Sequence, residues 1–263
     1  MILDTIVAAK QRAYRERDPA QDRQRRERLG DTPPRRSLSA ALRASQSGAR
    51  GGFPQIIAEF KRRSPSAGPI RPGAAPADIA REYAAAGAAA LSILTDAEFF
   101  DGDLAHLGAA RAAVGLPLLR KDFLLYEEDL VDARLAGADA ALLIARLLED
   151  TVLVRLLETA RQLGLEVLVE VHNAEECRRA VAAGATIVGV NHRDLDTLTL
   201  DLDLSARLAP LLPPQVTRVA ESGLKSAADL AEMAARGYHA VLVGETLMRA
   251  PSPGAALGQL LTR

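Results

Sequence analysis

The sequence predicts an α/β fold, a (β/α)8 TIM barrel with an N-terminal helical extension. Three observations lead there. The chain has 263 residues, close to the roughly 250 that eight strand–helix units typically need. A phrase recurs in which a helical pattern stops at a glycine and a short apolar strand follows: REYAAAGAAALSIL, VDARLAGADAALLI, CRRAVAAGATIVGV and AEMAARGYHAVLV. Strand-like runs of Val, Ile, Leu and Ala alternate with helical patterns along the chain, as βαβ units do in a parallel sheet covered on both faces. A doubly wound open sheet is the alternative arrangement of the same units.

The elements follow in order. The opening run MILDTIVAAKQRAYRERD reads as an amphipathic helix. Its arginines resemble a transit peptide, but Asp4, Glu16, Asp18, Asp22 and Glu27 favour a solvated surface helix, because transit peptides are poor in acids. The stretch up to residue 50 is rich in Pro, Arg and Ser, too short and too polar for a second domain. Residues 1–263 are therefore read as a single barrel domain, with 1–50 packed on it. The strands are QIIAEF, ALSILT, PLLRKD, ALLIA, EVLVEV, TIVGVN, TRVAES and AVLVG. Gly87, Gly137, Gly184 and Gly237 fall where the preceding helices would end in a left-handed residue.

Composition narrows the function classes. With 48% hydrophobic and 25% charged residues the chain can bury a substantial core. A net charge of −1 gives no global field for nucleic acid or an anionic membrane. No apolar run approaches the roughly 18–20 residues of a membrane span. Cys177 lies in the helical pattern AEECRRAVAAGA and reads as a small buried hydrophobe, consistent with a reducing compartment. The expectation is a cytoplasmic protein. His106, His172, His192 and His239 are scattered without ligand spacing, so no metal site is expected. His172 and His192 follow strands five and six, where either could line the mouth, and a loop role is the preferred reading for both.

Strand periodicity then exposes a site. Side chains alternate between the faces of a strand, and one face of a barrel points inward. Ile57, Glu59 and Lys61 share a face, as do Leu119 and Lys121, Leu168 and Glu170, Ile187, Gly189 and Asn191, and Val219 and Glu221. In each set the polar residue stands at the C-terminal end of its strand, the end that carries the active site in such barrels. Taking charges into a barrel mouth costs several kcal/mol per ion unless partners compensate, so stability alone does not explain six polar residues, five of them charged, on one rim. Interleaved Lys and Glu point to acid–base chemistry. Ser222-Gly223 and Gly244-Glu245 end strands seven and eight, just ahead of short helices, a common place for a phosphate.

The run IIAEFKRRSPSAG (56–68) resembles the first-strand signature of the indole-3-glycerol-phosphate synthases. LSILTDAEFFDGD, LLRKDFLLYEED, LVEVHNAEE, GVNHRDLDTL, VAESGL and LVGETLMR follow in that family's order, so the resemblance spans nearly the whole chain. It implies a carbon–carbon carboxy-lyase of tryptophan biosynthesis. The substrate would be 1-(2-carboxyphenylamino)-1-deoxyribulose 5-phosphate and the product indole-3-glycerol phosphate, with no cofactor. By resemblance Lys121 is the general acid and Glu170 stabilises the developing ring cation or takes its proton. Lys61 holds the substrate carboxylate and assists dehydration, with Glu59 as its partner. Asn191 and Glu221 orient hydroxyls. Ser64, Arg193, Ser222, Gly223, Gly244 and Glu245 surround the phosphate, and Phe99, Phe123 and Leu195 pack on the aromatic ring. Two positions depart from the family pattern: Ala67 stands where many relatives have Lys, and Glu245 where some have Ser. The chain is expected to be monofunctional, with at most transient contact to other enzymes of the pathway. The competing readings are another phosphate-binding barrel enzyme of that pathway and a non-catalytic sugar-phosphate-binding barrel.

Overall fold

The computed structural model describes residues 2–32, 34–44 and 52–262. Eight parallel strands close into a barrel: β1 Gln55–Phe60, β2 Ala90–Leu94, β3 Leu118–Lys121, β4 Ala140–Ile144, β5 Glu166–Val171, β6 Ile187–Asn191, β7 Thr217–Glu221 and β8 Ala240–Val243. Each pairs with the next, and β8 closes on β1 through Gln55 to Ala58 against Ala240 to Val243. The closed arrangement, not the open sheet, is the one adopted.

Helices α1 Ile2–Arg15, α2 Pro19–Glu27 and α3 Leu38–Arg43 precede the barrel. α4 Pro76–Ala86, α5 Ala97–Phe100, α6 Leu104–Ala113, α7 Glu127–Leu135, α8 Asp150–Gln162, α9 Ala174–Ala182, α10 Leu204–Leu208, α11 Ala227–Ala235, α12 Glu245–Arg249 and α13 Pro253–Leu261 follow the strands. The four expected helix-ending glycines all take left-handed backbone, with φ of 98, 93, 88 and 78° at Gly87, Gly137, Gly184 and Gly237, a conformation that costs a residue with Cβ roughly 1–2 kcal/mol.

Strand alternation sorts the core into two layers. Val167, Val169 and Val171 of β5 pack outward with the helices, whereas Leu168 packs inward with Ile57, Leu119, Ile187, Val219 and Leu242. α3 closes the N-terminal end of this inner layer, contributing Leu38 and Leu42 to the same cluster. Burying each such leucine stabilises by about 1.5–3 kcal/mol. The Glu166 carboxylate pins the first turn of α3, accepting from the backbone N–H of Leu38 and Ser39 and from the Ser39 hydroxyl. Arg43 ties its last turn to Thr217 Oγ1 at 2.7 Å. The stretch 45–50, the end of the expected extension, lies outside the described residues, as does residue 1.

α1 goes to the opposite end. The expected solvated surface helix does form, but Leu3 and Ile6 on its apolar face are buried and border the barrel mouth. Lys10 anchors it, 2.7 Å from Asp96 and 2.6 Å from Asp122. The N-terminal segment therefore reaches both ends of the barrel.

Candidate active site

A cavity of about 500 Å3 opens at the C-terminal ends of the strands. Inner-face alternation delivers Glu59, Lys121, Glu170, Asn191 and Glu221 to it, and Lys61 joins them one step beyond β1. Lys121 Nζ stands 2.7 Å from Glu170 Oε2 and 3.3 Å from Glu221 Oε2. Lys61 Nζ lies 2.7 Å from Glu59 Oε1. Glu170 and Glu221 are each only 1% exposed. Two glycines make the space for these carboxylates. A Cβ on Gly189 would fall 2.1 Å from Glu221 Oε1, and one on Gly244 would fall 2.3 Å from Glu59 Oε1.

Electrostatics divides the cluster into acid and base. Burial works against the Lys121 ammonium, but the carboxylates of Glu170, Glu221 and Glu59 outweigh it and hold the amine above the ordinary lysine range. Burial also opposes the Glu170 carboxylate. Lys121 and His172 prevail there and hold it well below the usual carboxylate range. Glu221 goes the other way. Burial, with the like charges of Glu170 and Glu59, pushes it up despite Lys121. Among the described residues its Oε1 has no hydrogen-bond partner. Neighbouring groups pushed apart in this way supply a proton donor and an acceptor side by side.

The mouth carries the remaining expected residues. Ser64, Ser222, Gly223, Gly244 and Glu245 all border the cavity. Ser222 and Gly223 are consecutive left-handed residues, φ 68 and 80°, which turns the chain sharply at the end of β7. The Ser222 carbonyl can only accept, so His192 Nδ1 donates to it at 3.0 Å; His192 thus supports that turn from outside the cavity. Ser64 Oγ accepts from the Ala67 N–H at 3.2 Å. Glu245 is engaged by Arg249 at 2.9 Å, so its carboxylate is offset by a cation. Arg193 borders the cavity with a guanidinium N–H on the Leu198 carbonyl at 3.0 Å, and its backbone N–H donates to Asn191 Oδ1 at 3.0 Å.

Phe123 and Leu195 line the cavity as expected, but Phe99 does not; Phe100 lines it instead, its ring centroid 6.0 Å from that of Phe123. Phe99 and Phe100 lie in the single-turn helix α5, capped by Asp96, where successive side chains point about 100° apart. Sequence reasoning also missed Leu3 and Ile6 of α1, the mouth cations Lys225 and Arg249, and His172, which sits 3.2 Å from Glu170 Oε1. The signal for His172 was available: it keeps the inward parity of Glu170 two residues on. Among the described residues no group of His, Cys, Asp and Glu could hold a metal ion, and no helix is long and apolar enough to cross a membrane.

A closed (β/α)8 barrel with a buried Lys–Glu cluster and a cation-bordered mouth at its C-terminal rim defines a barrel enzyme of the acid–base class. The model of the family described as "Indole-3-glycerol phosphate synthase" matches residues 3–260. A relative of that name from Nocardioides sp. is 46% identical over 260 residues, covering 98% of this chain and 97% of its own. Another from Mycolicibacterium vanbaalenii is 44% identical over 262 residues, covering 99% and 94%. The chain belongs to the indole-3-glycerol phosphate synthase family. A solved thiamine phosphate pyrophosphorylase from Pyrococcus furiosus superimposes with a TM-score of 0.61 at 16% identity, covering 85% of this chain and 96% of its own; that likeness concerns the fold alone.

Proposed function

We propose that the chain works as one barrel unit that converts 1-(2-carboxyphenylamino)-1-deoxyribulose 5-phosphate to indole-3-glycerol phosphate, CO2 and water, with Lys121 as general acid. The observation that carries this reading is Lys121 held between two buried carboxylates driven in opposite directions, Glu170 toward ionisation and Glu221 toward protonation.

The chemistry follows from the groups present. The ring carbon bearing the carboxylate attacks the sugar carbonyl carbon, and the carbonyl oxygen takes a proton from Lys121. Low dielectric strengthens such a positioned donor. The ring is then cationic, and ionised Glu170 meets that charge. CO2 leaves with its bonding pair returning to the ring, so the ring cation is itself the electron sink. The new hydroxyl then departs as water after taking a second proton, and the adjacent carbon releases one. Lys61 and Glu59, paired at 2.7 Å, serve the substrate carboxylate first and this dehydration afterwards. Asn191 and Glu221 orient the sugar hydroxyls, and the free Oε1 of Glu221 is where one would dock. Arg193, Ser64 and the backbone at Ser222, Gly223, Gly244 and Glu245 receive the phosphate. Phe100, Phe123 and Leu195 flank the aromatic ring. We place the enzyme in the cytoplasm, with transient contact to other tryptophan-pathway enzymes.

The test is indole fluorescence after adding purified protein to the anilino-sugar phosphate. Wild type is expected to form product and Glu170→Gln to lose about 10²–10⁴-fold in rate. No product from folded wild type would overturn the activity in favour of a binding-only barrel. Undiminished product from the variant would overturn the role of Glu170.

A further inference from the structure

Glu170 has a second polar neighbour that the reaction above does not use. The imidazole of His172 lies with Nε2 3.2 Å from Glu170 Oε1 and Nδ1 3.2 Å from Glu176 Oε2, and all three side chains are buried. The start of α9 fixes the far carboxylate. Asn173 accepts from the Glu176 backbone N–H at 2.9 Å, while Asn173 Nδ2 and the His172 backbone N–H each donate to the Glu176 carboxylate at 2.7 Å. Glu176 therefore has little freedom, and the cap of α9 sets the imidazole. Glu170 is spanned in turn: Oε2 meets Lys121 at 2.7 Å and Oε1 faces His172.

The ring also borders a second cavity of about 330 Å3, shared with His192, Asp194, Asp201 and Arg207. These groups are engaged elsewhere. Arg207 pairs with Asp201, Asp194 holds the 194–197 turn, and His192 serves the Ser222 carbonyl. Arg146, which acts on Glu176 from the turn after β4, is held by Asp196. Glu170 and Glu176 are left to set the charge of His172.

We propose that His172 is a positioning residue of the reaction, bracing Glu170 against Lys121 through a carboxylate–imidazole–carboxylate bridge. The inference rests on Glu170 being the group that meets the ring cation. Burial pulls the imidazole toward its neutral form, but the two carboxylates outweigh it and raise its pKa to about 9. The ring is thus a cation at neutral pH: Nδ1 donates to Glu176, while Nε2 makes no aligned hydrogen bond and meets Glu170 as an ion pair at 3.2 Å. It holds Glu170 in one rotamer and favours its ionised form.

The experiment compares kcat and KM against pH for wild type, His172→Gln, Glu176→Gln, Glu170→Gln and the His172→Gln/Glu170→Gln double variant. Glutamine keeps hydrogen bonding and removes the charge. His172→Gln is expected to lower kcat about tenfold with KM little changed. Without the cation Glu170 holds its proton to higher pH, so the acid limb of the kcat profile moves up by about one pH unit. In the Glu170→Gln background the same change is expected to cost nothing further, since His172 acts through Glu170. Glu176→Gln, which lets the ring lose its charge, is expected to move the limb the same way by less. A limb that stays in place in His172→Gln, or losses that multiply in the double variant, would overturn the proposal and leave His172 a structural residue. Were His172→Gln not to fold, an unmoved limb in Glu176→Gln would overturn it equally. Full activity in Glu170→Gln would instead overturn the assignment on which the inference rests, a separate and distinguishable result.

Discussion

Replacing Gly189 with alanine perturbs the site through a single methyl group. Gly189 lies on the inner face of β6 between Ile187 and Asn191, and its Cβ would stand 2.1 Å from Glu221 Oε1 and 3.2 Å from both Glu221 Cδ and Leu168 Cδ1. To reach ordinary contact near 3.5 Å the carboxylate must retreat by roughly 1.4 Å (about 3.5 less 2.1). Glu221 is almost fully buried, so it has little room to do so without leaving Lys121, now 3.3 Å away. Lys121 would keep Glu170 but lose its second carboxylate neighbour. A displacement of about 1 Å at a reacting centre costs on the order of 100-fold. The backbone at Gly189 is not left-handed, so alanine itself is tolerated there and the fold should survive. The assay is kcat from indole fluorescence at saturating substrate, beside thermal unfolding followed by circular dichroism. A folded Gly189→Ala variant with kcat within about twofold of wild type would refute the argument that Glu221 needs this space.

Other changes probe the parts that support the site. Lys10→Met strips the cation from Asp96 and Asp122 and should cost about 3 kcal/mol, the low end for a broken buried pair because Arg120 and Thr95 still serve Asp122. Loosened α1 would withdraw Leu3 and Ile6 from the mouth, so KM should rise along with a fall in the urea midpoint; an unchanged KM would contradict this. Burial opposes the charge of Asp122, but Arg120 and Lys10 prevail and hold its pKa at about 2, below the ordinary 3.8. A depressed carboxylate stabilises the fold above its unfolded pKa, and at 1.36 kcal/mol per unit this contribution is about 2 kcal/mol, lost as pH falls from about 4 to about 2. Urea titrations at successive pH should show that decline in wild type; the same slope in Asp122→Asn would speak against it. Phe123→Ala should raise KM by about three- to tenfold with kcat little changed, through loss of ring packing beside Phe100; an unaltered KM would remove Phe123 from the substrate's surroundings.

Much of the rim was legible in the sequence because it rests on a period of two. Once Leu168 is inside, Glu170 is inside, and the same holds for Ile57 with Glu59 and Val219 with Glu221. The helix-ending glycines were legible because left-handed backbone selects glycine. What stayed hidden depends on long-range geometry. Nothing local tells Lys10 that its carboxylates lie at the ends of β2 and β3, or that Leu38 and Leu42 plug the barrel floor. The choice between Phe99 and Phe100 turns on one residue of helical rotation in α5. The inward position of His172 is legible from the parity of Glu170, but its role is not, because that depends on Glu176 being fixed by the cap of α9.

The central claim is that Lys121 donates the proton that starts ring closure. Its most direct test is single-turnover formation of the fluorescent indole product by wild type and by Lys121→Met, with substrate binding measured separately for both. The account predicts that the variant binds substrate within about tenfold of wild type while the rate of product formation falls by roughly 10²–10⁴-fold. A folded variant that forms product within a few-fold of the wild-type rate would contradict it and move the acid to another residue.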